Sequence, residues 1–123
     1  MTYSVNEIEG LAQKAARGIG VHPAQAMHFG RAVAHHLAAG RDPSLLEDAL
    51  HNRQLLQIAP INPPESPLGD SYRAASDPDI TMPKRIPCPQ PLHDMLSKLA
   101  HKIYVPASDS SRAGAGAGLT DND

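Results

Sequence analysis

Seven histidines and one cysteine are the side chains of this sequence best suited to chemistry: His22, His28, His35, His36, His51, His93, His101 and Cys88. Imidazoles bind metals and move protons near neutral pH, and a thiolate is a nucleophile, so spacing decides what these residues can do. Two histidines on one helix share a metal when they lie three or four residues apart. His28 and His35 would be two turns apart, roughly 10 Å along the axis, and His35 and His36 would diverge by about 100°. The spacing builds no local metal centre and leaves open only a site assembled across helices. Cys88 lies in Pro87-Cys88-Pro89, with Lys84 and Arg85 as its nearest cations and His93 as the nearest base. No helix N-terminus is expected to activate it, so it reads as an incidental thiol. His51 follows Glu47 by one turn and reads as a surface pair.

Glycine-rich chemistry fails in a similar way. Gly114-Ala115-Gly116-Ala117-Gly118 begins like a dinucleotide loop, but Leu119 stands where the third glycine belongs and neither a strand before it nor a helix after it is expected. No Lys-Ser/Thr follows for a phosphate loop. Asp121 and Asp123 alternate like the start of a calcium loop without its later ligands. The sequence thus offers no catalytic, cofactor or metal residue set, and no cofactor is expected. Arg112 to Asp123 reads instead as a flexible Gly-Ala tether with an acidic tip. Glycine loses the most backbone entropy on ordering, and glycine and alanine bring almost no contact area to offset it. Contacts must come from elsewhere, and a protein partner is the expected source. Leu119, Thr120, Asp121, Asn122 and Asp123 are the candidate partner-binding residues, with Leu119 as apolar anchor and the two aspartates meeting basic groups or backbone N–H donors.

The elements that position these residues are helical. Ser4 with Glu7 forms a capping-box pattern, and Ile8, Leu11, Ala12, Ala15 and Ile19 follow at helical spacing. Gly18 and Gly20 stop this first helix and Pro23 starts a second, which runs to about Gly40 with Met27, Gly30, Val33, Ala34 and Leu37 as its expected buried stripe. Asp42-Pro43 opens a third, carrying Leu45, Leu46, Ala49, Leu50 and Leu56. From Pro60 to Pro91 lie nine of the twelve prolines and no sustained apolar period, which predicts a linker or wrapping coil. Leu92, Met95, Leu96, Leu99 and Ile103 then mark a returning helix. The expected architecture is mostly α: a three-helix bundle over residues 1–57, a proline-rich connector over 58–90, a C-terminal helix over 91–106 packing on the bundle, and a flexible tail over 107–123.

Composition bounds the function classes. With four aromatic residues (Tyr3, Phe29, Tyr72 and Tyr104) in 123, the core is small and assembly with a partner or a second copy is expected to add stability. A formal charge of −2 with scattered cations argues against a strong nucleic-acid or membrane-surface binder. No apolar run approaches the roughly 20 residues of a membrane span. One cysteine and a start without a basic, apolar leader pattern predict a cytoplasmic location.

A helix-turn-helix is the sharpest competing reading. Over Ala16 to Arg31 it would present Gln25, His28 and Arg31 to a groove, although residues 1–57 hold five basic and five acidic side chains. An enzyme component completed by a partner is the other.

Two blocks of sequence carry a family resemblance: Val5-Asn6-Glu7-Ile8-Glu9-Gly10-Leu11-Ala12-Gln13-Lys14-Ala15-Ala16-Arg17-Gly18-Ile19-Gly20, and the ending from Tyr104-Val105-Pro106 through Gly118-Leu119-Thr120-Asp121-Asn122-Asp123. Together they resemble the bacterial family known as domain of unknown function 3726, in a shortened version whose middle is proline-rich. The resemblance implies that the tail is a family feature and brings no activity or catalytic residue with it. The function expected is that of a small non-enzymatic accessory protein, or small subunit of a larger complex, docking through its C-terminal tail.

Overall fold

Ser4 and Glu7 cap the first helix reciprocally: the Glu7 amide donates to Ser4 Oγ at 3.1 Å and the Ser4 amide donates to Glu7 Oε1 at 3.0 Å. These bonds hold the Glu7 carboxyl below the usual carboxylate range. The computed structural model describes residues 1–103. Its elements run β1 (Thr2–Ser4), α1 (Val5–Gly18), α2 (Pro23–Ala38), α3 (Ser44–Ala49), α4 (Arg53–Ile58), α5 (Pro67–Ala75), β2 (Arg85–Pro87) and α6 (Gln90–His101). The protein is a small, mostly helical bundle.

Two matching turns shape the first half. Gly20 at φ +96° and Gly40 at φ +73° follow the last residues of α1 and α2 in the left-handed region. In each turn the next two amides reach back: Gly20 N to Arg17 O and Val21 N to Ala16 O, then Gly40 N to Leu37 O and Arg41 N to His36 O. These are Schellman closures, which satisfy carbonyls that a helix end otherwise leaves unpaired.

α2 is the central element, in contact with α1, α4, α5 and β2. It buries Ala26, Phe29, Gly30, Ala32, Val33, Ala34, His36 and Leu37, so its apolar surface is broader than one stripe. Met27 departs from expectation and is 39% exposed, because Ala26 and Phe29 hold the inward positions of that turn. Gly30 lets α1 cross closely: a Cβ there would lie 2.5 Å from the Glu9 carbonyl oxygen. The third expected stripe is divided between α3 and α4. Asn52 caps α4, its side chain accepting from the Leu55 amide, and the bend keeps Leu46, Ala49, Leu50 and Leu56 in the core. The bundle to residue 58 therefore has four helices instead of three.

The connector over 58–90 needs the larger correction. It contains α5, packed on α2, and β2, which pairs antiparallel with β1 in the register Thr2↔Pro87, Tyr3↔Ile86, Ser4↔Arg85. Ser66 caps α5 and Pro67 occupies its first turn, while Leu68, Ser71 and Tyr72 are buried. Helix start and buried residues thus fit within nine residues, too few for the periodicity on which the coil expectation rested. The β pairing was unreadable locally because its partners lie more than eighty residues apart. α6 returns and packs on α1, burying Leu92, Leu96 and Ala100, and it ends at His101. The tail at 107–123 lies outside the described residues.

Gly10 provides an internal control for packing. It lies inside α1 with nothing within 4 Å of an added Cβ. Gly10→Ala should raise stability by about 0.5–1 kcal/mol, because alanine loses less backbone entropy in a helix. Urea denaturation checks this, and a destabilised variant would show that α1 is not the regular helix described.

Candidate functional site

One histidine and one serine with the geometry of a reacting pair do meet in this fold. His36 Nδ1 lies 2.8 Å from Ser71 Oγ, joining α2 to α5, and both residues are fully buried. His36 Nε2 lies 2.8 Å from the Asp42 carbonyl oxygen. That carbonyl accepts only, so the Nε2–H tautomer is fixed and Nδ1 is left to accept the Ser71 hydroxyl proton. Arg41 Nη1 then donates to Ser71 Oγ at 3.2 Å. The result is a one-way chain: Arg41 to Ser71, Ser71 to His36, His36 to the Asp42 carbonyl.

Burial pushes His36 below the ordinary histidine range, the Asp42 carbonyl bond opposes this, and the Arg41 guanidinium adds to the depression. A serine and base at this distance have the arrangement that activates a nucleophile. Here both are enclosed, so the pair joins α2, the α2–α3 turn and α5 instead of meeting a substrate. Sequence reading passed over it, yet the signal existed: His36 falls on the helical face of Phe29 and Val33, where a polar ring requires partners.

Cys88 Sγ is also buried, which pushes the thiol up to about 11. Such a thiol is almost wholly protonated near neutral pH and a poor nucleophile. Although Cys88 immediately precedes α6 and its cap Pro89, burial outweighs any help from the helix end. Among the described residues no three His, Cys, Asp or Glu side chains converge as a metal-holding group. The expected Glu47–His51 pair does not form, and the ion pairs among those residues are Arg73 with Asp70 and Arg73 with Glu65. Of the residues in the helix-turn-helix reading, His28 and Arg31 are exposed, whereas Gln25 is half-buried with its Oε1 lacking a hydrogen-bond partner.

An accessible surface lies along α1 and α6. Tyr3 and His93 stack with ring centroids 4.5 Å apart at one end of an open cleft of about 350 Å³, whose floor includes Leu11 and Ser97 and whose rim carries Glu7 and Lys14. A second depression shares Ser97 and continues past Asp94, Lys98 and His101 toward the end of α6. This end is firmly seated: Gly18 of α1 passes so close to the Leu99 carbonyl that an added Cβ would overlap it. The candidate partner-binding residues Leu119, Thr120, Asp121, Asn122 and Asp123 lie outside the described residues, beyond that end. No helix of the described residues is long and apolar enough to cross a membrane. No protein-family model matches this chain, and no characterised protein or solved structure matches it either.

Proposed function

We propose that this chain is a non-enzymatic accessory protein, a shortened relative of the family of unknown function that its two ends resemble, which docks on a larger cytoplasmic protein through its C-terminal segment. The observation supporting this reading is the seating of α6. Its last turns lie against Gly18 of α1, so the helical body holds the point from which residues 104–123 depart, next to a solvent-facing surface of mixed charge. An immobile base reduces the entropy lost when a tether is captured, because only the tether itself has to be ordered. In this reading Leu119 fills an apolar pocket of the partner, while Asp121 and Asp123 meet its basic groups or backbone N–H donors. The Gly-Ala run supplies reach.

Deleting residues 114–123 should leave helix content and melting temperature nearly unchanged and lower affinity for a stoichiometric partner, isolated by copurification, by at least about tenfold, roughly 1.4 kcal/mol. Loss of the fold would assign the tail a structural role. Unchanged affinity would move the interface to the helices. Either result overturns the tail-docking reading.

A further inference from the structure

Arg41 is held at both ends. Its backbone amide closes the α2 turn on the His36 carbonyl, and its guanidinium donates to Ser71 Oγ, a hydroxyl itself fixed by the buried His36 ring. Arginine carries five N–H donors, and among the described residues this one has no carboxylate within ion-pair distance. It lines a cleft of about 200 Å³ between the end of α2, α5 and the loop preceding β2. His35 and Thr81 supply the other polar groups there, and Ala38, Ala74 and Met82 contribute apolar wall. Partial burial and the Arg41 charge hold His35 below the ordinary histidine range against the opposing pull of Glu9, so near neutral pH it presents a neutral ring instead of a second cation. The Schellman closure pairs the Leu37 and His36 carbonyls with the Gly40 and Arg41 amides, and among the lining residues the Arg41 guanidinium is the one full charge, set against the weaker negative end of the α2 dipole.

We infer that this cleft is a binding site for a small aliphatic monocarboxylate, with the Arg41 guanidinium gripping the carboxylate and the alanine and methionine wall taking a chain of a few carbons. A planar guanidinium matches a carboxylate in two parallel hydrogen bonds, and pre-positioning by Ser71 reduces the rotamer entropy lost on binding. The cleft volume lies below the range of sites for drug-sized ligands and limits the guest to a few heavy atoms. Thr81 offers a hydroxyl at the rim. Inorganic phosphate would meet the same cation but leave the apolar wall unused, which distinguishes the two anions.

The test is a titration of the full chain with sodium butyrate, followed by two-dimensional amide and arginine side-chain NMR. Saturable shifts should appear at Arg41, Thr81 and Ala74 with a dissociation constant on the order of 1 mM, as expected for so small a guest. Butyramide, which lacks the charge, and inorganic phosphate, which lacks the chain, should each bind at least about tenfold more weakly. Arg41→Gln should abolish saturation. Because that change also removes a donor to Ser71, Ala74→Leu provides a second variant: it fills the cleft, leaves Arg41 intact and should cause the same loss. Absence of saturable shifts, equal binding of butyramide or phosphate, or undiminished binding in a folded variant of either kind overturns the assignment.

Discussion

Replacing His36 by alanine should destabilise the protein by about 3–5 kcal/mol, enough to unfold a large share of a small domain. The change removes a fully buried ring and leaves an unfilled space, and it takes one hydrogen bond each from the Asp42 carbonyl, which keeps the Leu45 amide, and from the Ser71 hydroxyl, which keeps Arg41 and the Pro67 carbonyl. Truncating a large buried side chain to alanine costs about 2–5 kcal/mol through lost contact and cavity formation, and each lost hydrogen bond adds about 1 kcal/mol. Ser71→Ala removes only the hydroxyl shared by His36 and Arg41 and should cost less, about 1–3 kcal/mol. Their combination should fall well short of the sum, since each single change already disrupts the same chain. Additive losses in a urea denaturation cycle would show that His36 and Ser71 act separately.

The same ring makes stability depend on pH, and its direction follows from the depressed folded-state value. Unfolded chains protonate His36 near the ordinary value of about 6.5, whereas the folded chain resists protonation to lower pH. Between those two values the unfolded state binds more protons, so stability rises with pH there. It is fully present above about 6.5, declines as pH falls below that value, and levels off once the folded ring also protonates. His35 contributes with the same sign. Asp42 and Glu7 are held below the usual carboxylate range by hydrogen bonds at helix starts and lose their contribution in a separate, more acid window. Protonation need not break the cluster geometry. Ser71 Oγ also lies 3.1 Å from the Pro67 carbonyl, so its hydroxyl can turn there while accepting from a protonated Nδ1. The expected signature is a melting temperature that drops between pH 7.5 and 5.5 in the parent, with a smaller drop in His36→Gln; equal slopes would remove His36 as the cause.

How much of this was legible in the sequence depends on the range of each signal. The start of α1 and the buried positions of α6 were readable because cap residues and apolar spacing are local: Ser4 pairs with Glu7, and Leu92 with Leu96, each within four residues. α5 was missed because proline density drew the whole segment toward coil, although Ser66-Pro67 is itself a helix-start signal. Helix propensity was overridden by packing: Leu68 and Tyr72 find an apolar surface on α2 that the segment alone does not reveal. Arg41 and Ser71 were unreadable as partners, since thirty residues and a change of element separate them. The exposed face of Met27 follows from the number of neighbours around α2, a property of the assembled bundle.

Gly18→Ala should be the most damaging single-carbon addition in α1 and should act at a distance on the C-terminal segment. The added Cβ would overlap the Leu99 carbonyl oxygen, a backbone atom that cannot rotate away as a side chain can, and would also approach Lys102 Cβ at 3.5 Å. Relief requires α6 to retreat from α1, which loosens Leu96 and Leu92, both fully buried. Separating these surfaces forfeits contact along the helix pair, and the expected destabilisation is about 2–4 kcal/mol, against a gain of about 1 kcal/mol from intrinsic helix propensity for the same Gly→Ala change. Gly10→Ala in the same helix isolates that propensity, because Gly10 has open space where Gly18 has a backbone. Opposite signs for the two substitutions would establish close approach as the reason for Gly18. The consequence for function is direct: if α6 anchors the docking segment, Gly18→Ala should raise amide exchange throughout α6 and weaken partner binding even under conditions where the protein stays folded. Slow exchange in α6 together with parental stability would mean that α1 and α6 tolerate separation and that the tether needs no fixed base.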